Sequence, residues 1–279
     1  MRIFLAGATG VIGRQLVPLL RGAGHEVVGT TRKPARAEAL AAAGAEPVVV
    51  DVYDRDAIRD AVTAARPDVV IHQLTDLADQ DFAANARLRT EGTRNLVDAA
   101  LAAGVKRIVA QSIAWIYAPG EGPADEDAPL DMELPAIKGV MALEGAVAEL
   151  PEWVVLRFGR LYGPGTWHAP DGEHARLARA GEFPATDEWD ALVHVADAAA
   201  ASLLALDWPA GPVNVVDDEP ARGTQWIPVF CESVGAPPPP VADAARVGRG
   251  VSNALARARG WEPRYPSWRE GLREANGPG

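Results

Sequence analysis

The first thirteen residues, MRIFLAGATGVIG, limit the fold more than any other stretch of the chain. Ile3, Phe4 and Leu5 follow one another without a polar break, so residues 2–6 read as a strand buried on both faces, as in a parallel sheet. Gly7, Gly10 and Gly13 then recur every three residues, while Val11, Ile12, Leu16, Val17, Leu19 and Leu20 keep a helical period. Strand, glycine turn and helix in that order form a device for holding a pyrophosphate. Glycines let the backbone come close, and the helix N-terminus offers unpaired N–H groups and a favourable dipole. A glycine triplet alone also fits an ordinary tight turn; the strand before it and the helix after it favour the nucleotide reading.

The same alternation continues. Strands are predicted at 25–30, 47–50, 68–72 and 106–111, with helices at 34–43, 54–65 and about 79–103 between them. Repeated strand–helix units predict an α/β fold, a doubly wound parallel sheet with right-handed crossovers. From Ile113 the rhythm changes. Residues 118–135 read as a loop rich in proline, glycine and acids, with Asp125, Glu126 and Asp127 as a solvated face. A helix at 136–150, a buried strand at 153–157, a helix at 195–206 and a strand at 213–216 follow, with an irregular stretch at 159–190. The aromatic segment WEPRYPSW at 261–268 reads as a packing plug for the C-terminal region.

Charge and cysteine content narrow the partners. The net charge of −11 argues against nucleic acid or an anionic membrane as a main partner. The single Cys231 excludes an internal disulfide framework and a cysteine-based metal site, and in PVFCESVG it reads as a packing residue. No uncharged apolar run approaches membrane-spanning length, and the initial run is too short for a secretory signal, so a soluble cytoplasmic protein is expected.

Taken together, AGATGVIG at 6–13, PDVVIHQL at 67–74, EGTRNLVDAA at 91–100, VKRIVAQS at 105–112, LRFGRLYGPGT at 156–166, VHVAD at 193–197, NVVDDEP at 214–220 and the closing GW at 260–261 resemble one family. It is the short-chain dehydrogenase/reductase superfamily, in its extended, epimerase/dehydratase-like branch. The resemblance implies a Rossmann-like dinucleotide-binding domain at 1–158, to which 192–216 return, and a smaller substrate-binding region at 159–191 and 217–279. It also implies a small-molecule substrate and a homodimer through the long helices at 79–103 and 136–150. The cofactor residues it implies are Gly7, Thr9, Gly10, Val11, Ile12 and Gly13 in the turn, Asp51 and Val52 at the adenine, and Leu74 and Thr75 where the fourth strand abuts the cofactor. His72 and His194 fall in structural contexts of that family and are expected in the core.

Cofactor type is argued from the second strand. An acid about 20 residues beyond the glycines would accept the ribose 2′-OH of NAD, whereas arginine suits a 2′-phosphate. Here stand Thr30, Thr31, Arg32 and Lys33, with no acid before Glu38. Two cations and two hydroxyls suit a dianionic phosphate, so NADP(H) is favoured over NAD(H); the plainer alternative is a solvated basic helix start.

One departure from the family matters. Its redox chemistry uses a tyrosine four residues before a lysine, the lysine lowering the phenol pKa for proton exchange. Four residues after Tyr53, Tyr117, Tyr162 and Tyr265 stand Ala57, Glu121, Thr166 and Arg269, so the chain has no such pair. Aligned on Glu144, Ala136 falls at the tyrosine position and Val140 at the lysine position; shifting the register to use Lys138 puts Leu134 at the tyrosine position, and either way the proton donor is missing. The serine slips too: its usual place holds Ile113, with Ser112 one residue earlier. Substitutes in the resembling segments are Tyr117, Ser112 and Lys138 as catalytic groups, with Trp115 and His168 at the substrate. His168 is expected to titrate near neutral pH; His168 and His174 have no third ligand at convincing metal spacing. Three readings stay open: an NADP(H)-dependent reductase or epimerase-type enzyme with a non-standard proton donor; a cyclase, isomerase or lyase without net redox; and a non-catalytic NADP sensor.

Overall fold

The computed structural model describes residues 1–77 and 80–276. Strand β1 (Arg2–Ala6) leads into helix α1 (Val11–Gly22), followed by β2 (Glu26–Thr31), α2 (Ala37–Ala42), β3 (Glu46–Val49), α3 (Arg55–Ala65) and β4 (Val69–His72). The next helical stretch has three parts: α4 (Phe82–Arg87), a π turn (Leu88–Gly92) and α5 (Thr93–Ala102). The expected start of that stretch at Asp79 lies outside the described residues. Then come β5 (Arg107–Ile113), α6 (Ile137–Val147), β6 (Glu152–Phe158), β7 (Arg160–Tyr162), α7 (Glu173–Arg179), β8 (Trp189–Asp190) and β9 (Leu192–His194). The chain ends with α8 (Val195–Leu204), β10 (Gly211–Val215), β11 (Ala221–Arg222), α9 (Gly223–Ser233), α10 (Ala254–Ala258) and α11 (Trp268–Asn276). No helix among the described residues is long and apolar enough to cross a membrane.

Seven strands form one parallel sheet in the order β10-β6-β5-β4-β1-β2-β3, the α/β, Rossmann-like arrangement expected. Strand β1 lies between β2 and β4, with Leu5 beside Gly29 on one side and Ile71 on the other. The order reverses at β1 and β4, which makes their carboxyl ends the switch point where such a sheet takes its ligand. Ile3, Phe4 and Leu5 are all fully buried, as a strand covered on both faces requires. Phe4, Val28, Val70, Ile108 and Ala110 pack against Ile58 and Val62 of α3, Leu96 and Val97 of α5, and Leu143 and Val147 of α6. Each such aliphatic side chain contributes roughly 1.5–3 kcal/mol when fully buried.

The chain divides into two compact units. Unit 1 comprises Met1–Ser112, Glu133–Leu156 and Ser202–Pro212; unit 2 comprises Ile113–Met132, Arg157–Ala201 and Val213–Gly279. Unit 2 has its own core of Tyr162, Trp226, Phe230, Trp268 and Leu272, in which Cys231 is a buried packing residue. Trp261 and Trp268 are fully buried, and their indole N–H groups donate to the carbonyls of Asp197 and Glu219. The acidic run at 125–127 is not uniformly solvated. Glu126 is half-buried, and its Oε1 accepts the Asn214 N–H at 2.7 Å.

The glycine turn is the tightest backbone contact in unit 1. A Cβ on Gly13 would stand 2.3 Å from the Gly7 carbonyl oxygen, and one on Gly7 would stand 2.7 Å from the Gln73 carbonyl. Gly7 also takes φ = +91°, a conformation that strains any residue with a side chain. We therefore expect Gly13→Ala to push α1 off β1 and lower unfolding free energy by roughly 1–3 kcal/mol in urea titrations. Gly22→Ala, where a Cβ meets nothing within 4 Å, serves as the control.

Candidate functional site

The turn after β1 presents bare backbone to solvent. Gly10 caps α1 without a side-chain hydrogen bond, and no acid stands in the first helical turn. Gly10 is exposed, and a Cβ there would have only the Gly7 oxygen nearby, at 3.2 Å. The first N–H groups of α1, at Val11 and Ile12, are thus free of the caps that usually neutralise a helix start. A pyrophosphate fits this cradle: it brings acceptors and negative charge to a site that has donors and no competing carboxylate. Thr30 braces the turn by accepting the Gly7 N–H at 3.1 Å, and the Thr9 and Thr31 hydroxyls lie 3.4 Å apart.

Around the end of β2 the cations divide their work. Arg32 forms two hydrogen bonds with Asp76, at 2.9 and 3.2 Å, and this exposed pair raises its pKa further. Arg36, which the residue-by-residue reading passed over, reaches back to the Thr9 carbonyl at 3.5 Å. The signal was present: Arg32 and Arg36 are one helical turn apart, beside Thr31. Asp51 turns its Oδ1 onto the Tyr53 N–H at 3.0 Å, and Val52 is buried with its carbonyl held by Asn95 at 3.0 Å. Leu74 gives its carbonyl to the Gln111 side chain at 3.0 Å, and Thr75 is exposed next to it.

The three catalytic candidates do not form a relay. Ser112 is buried on the same strand parity as Ile108 and Ala110, and its hydroxyl donates to Glu144 Oε1 at 2.8 Å. Lys138 is exposed on α6, and six residues from Glu144 it faces a different side of that helix. Tyr117, in unit 2, is 1% exposed; its hydroxyl donates to Asn214 Oδ1 at 2.6 Å and accepts from Arg157 at 2.9 Å. Burial raises the Tyr117 pKa, opposite to what a proton-exchanging phenol needs. The geometry therefore corrects the expectation for Tyr117: it ties unit 2 together as a hydrogen-bonded core residue. Ala136 is the N-cap residue of α6, and Val140 is buried on that helix.

His168 is a second correction. It is buried, its Nδ1 bonded to the Leu161 carbonyl at 2.8 Å and its Nε2 to His174 Nδ1 at 2.9 Å. Rings of Phe183, Trp226 and Phe230 surround it. Burial lowers His168 to about 3, so it stays neutral where a near-neutral acid or base would titrate. Trp115 is partly exposed in unit 2, with the Arg160 guanidinium 5.3 Å from its ring and Arg246 donating to its carbonyl at 3.3 Å. His194 is a core histidine, packed on Tyr265 at 4.0 Å.

With this geometry in place, comparisons with known proteins give the class. Residues 3–216 match the model of the NAD dependent epimerase/dehydratase family, and the chain belongs to that family. It is an oxidoreductase- or epimerase-type enzyme that takes a nicotinamide dinucleotide. Among individual proteins it is 45% identical to a 3-diazoavenalumate denitrifying reductase of a Streptomyces species, over 98% of this chain and 99% of that one. It also resembles the Thermus thermophilus UDP-glucose 4-epimerase in complex with NAD, at 26% identity and TM-score 0.81, covering 99% and 97% of the two chains. The Bordetella bronchiseptica enzyme WbmG in complex with NAD is similar at 25% identity and TM-score 0.81, covering 99% and 92%.

His72, at the end of β4, gives a pH test of this region. It is fully buried, its Nε2 is 2.9 Å from the Thr93 hydroxyl, and burial with the Arg89 charge lowers it to about 4. Unfolded, the imidazole takes a proton near 6.5, so acidification from pH 6.5 towards 4 favours the unfolded state. We expect wild type to lose more stability than His72→Gln between pH 7 and pH 5. The excess should be about 2 kcal/mol by urea unfolding.

Proposed function

We propose that this chain is an NADPH-dependent reductase of a small diazo carboxylic acid, delivering hydride to a carbon that loses dinitrogen. What carries the reading is the pairing of an uncapped pyrophosphate cradle with an α6 that has Ala136 and Val140 in place of a proton relay. The full-length relative named a denitrifying reductase of a diazo acid supports the substrate class. When bound, the nicotinamide dinucleotide supplies a hydride. The net change for the diazonium form is R–N2⁺ + NADPH → R–H + N2 + NADP⁺. A C–H bond forms, the C–N bond breaks, and dinitrogen leaves with the C–N electron pair. No proton enters the balance, so a phenol–lysine pair has nothing to do.

The same chemistry explains why that pair would be harmful. Diazonium ions couple to phenolates and amines, and the helix that carries both elsewhere in the family carries neither group here at those positions. Gly7, Thr9, Gly10, Val11, Ile12 and Gly13 hold the pyrophosphate in this reading, with Asp51, Val52, Leu74 and Thr75 along the rest of the cofactor. Thr31, Arg32 and Arg36 meet the 2′-phosphate, Arg32 exchanging Asp76 for it. The dinucleotide-binding domain is 1–158 with 192–216. The substrate-binding region is 159–191 with 217–279; Trp115, outside those ranges, adds an aromatic face beside the Arg160 guanidinium that suits an aromatic acid. The enzyme works as a cytoplasmic homodimer; exposed Leu101 on α5 and Met141 on α6 support that arrangement.

Two measurements test this. With NADPH deuterated at C4 and a panel of aryl diazonium carboxylic acids, deuterium should appear on the carbon that bore nitrogen, one dinitrogen released per NADPH oxidised. Absence of NADPH oxidation across the panel, or loss of the label to water, overturns the reading. For the cofactor, Arg36→Ala should weaken NADPH binding about ten- to hundredfold and leave NADH binding within twofold, read by fluorescence titration.

A further inference from the structure

Facing α6, the π turn buries an arginine, Arg89. Within Leu88–Gly92, Leu88, Arg89 and Gly92 point inward while Thr90 and Glu91 are exposed. Arg89 is 5% exposed, and its Nε is buried with no hydrogen-bond partner. Its stem lies on Gly139: a Cβ on that glycine would sit 3.5 Å from both Cβ and Cδ of Arg89. Gly139 precedes Val140, the position where the family's lysine would stand. Single π turns inside helices mark functional sites often enough to make the placement informative.

Among the described residues the Nε of Arg89 has no hydrogen-bond partner, and burial outweighs the Glu144 charge that acts on the guanidinium. The Glu144 charge acts on Arg89, but Glu144 Oε1 is already bonded to Ser112, and His72 beside it is neutral. Desolvation dominates and lowers Arg89 to about 10, so it remains protonated at neutral pH. A buried cation with five donors is costly unless acceptors come from elsewhere. The groups whose charge or packing reaches it belong to the ends of β4 and β5 and to α6. Arg32, Arg36, Asp51 and Val52 belong to the β2 and β3 side, which takes the adenosine half. A dinucleotide crossing the switch point lays its other half over β4 and β5.

We infer that Arg89 is the cation of the nicotinamide half, donating to the riboside hydroxyls and standing in for the missing lysine from a different helix. This rests on the proposed reading for its cofactor alone, not for its substrate. A fixed positive charge there also favours the neutral reduced ring over the pyridinium, so NADPH binds more tightly than NADP⁺.

Wild type, Arg89→Met and Arg89→Lys are titrated by tryptophan fluorescence with NADPH, NADP⁺ and adenosine 2′,5′-bisphosphate, which lacks the nicotinamide half. Arg89→Met should weaken NADPH at least tenfold, shrink the NADPH-to-NADP⁺ preference, and leave the bisphosphate within twofold of wild type. Arg89→Lys, retaining the charge, should keep the preference. The melting temperature of ligand-free Arg89→Met should equal or exceed that of wild type, because a desolvated charge whose Nε has no partner has been removed; a purely structural arginine would give a lower one. Unchanged NADPH binding by Arg89→Met, equal loss of the bisphosphate, or a lower melting temperature overturns the inference. If wild type fails to bind the bisphosphate at all, the cofactor reading itself is lost, and the inference falls with it.

Discussion

Backbone against backbone at the first turn is the contact on which the site depends. Gly13 rests on the Gly7 carbonyl and Gly7 on that of Gln73, at distances that exclude a Cβ. Because these three pieces touch, the N-terminus of α1 is brought to the carboxyl edge of the sheet between β1 and β4. Its donors point outward there, with neither a side-chain cap nor an acid in the first turn to quench them. A helix start left in this state is poorly satisfied until an anion arrives.

Much of this was legible in the sequence because it is written locally. Ile3 to Leu5 announce a strand buried on both faces, the glycine spacing announces the turn, and Trp261 and Trp268 announce a packed tail. Other residues acquire their roles from partners far along the chain. Tyr117 looks available until Asn214, 97 residues away, accepts its hydrogen bond. His168 looks like a loop histidine until Trp226 and Phe230 close over it. Arg89 sits in an ordinary helical run, and only the π turn aims it at Gly139. Local pattern cannot report such pairings, because their energy lies in desolvation and geometry set by the fold.

Loss of the tyrosine and lysine from α6 is accompanied by consistent changes around them. Val140 and Ile137 are buried apolar residues, and the stem of Arg89 lies against Gly139. Ser112 shares the helix-facing side of β5 with Ile108 and Ala110 and gives its hydroxyl to Glu144. Among the described residues the helix face thus pairs Ser112 with Glu144 and packs the Arg89 guanidinium beside it with its Nε unpartnered.

An arginine at position 89 fits the proposed chemistry better than a lysine would. The chain has only three lysines in an overall charge of −11, so its cations near the turn and the switch point are mainly arginines: Arg32, Arg36 and Arg89. An ammonium buried like Arg89 would drift towards neutrality and become an amine, nucleophilic and able to exchange protons. The guanidinium stays protonated even when burial brings it down to about 10. It can orient hydroxyls and hold a charge, but at neutral pH it neither gives nor takes the proton that a carbonyl reduction would require. A site furnished with such a cation suits a reaction in which hydride alone is transferred and the leaving group is neutral.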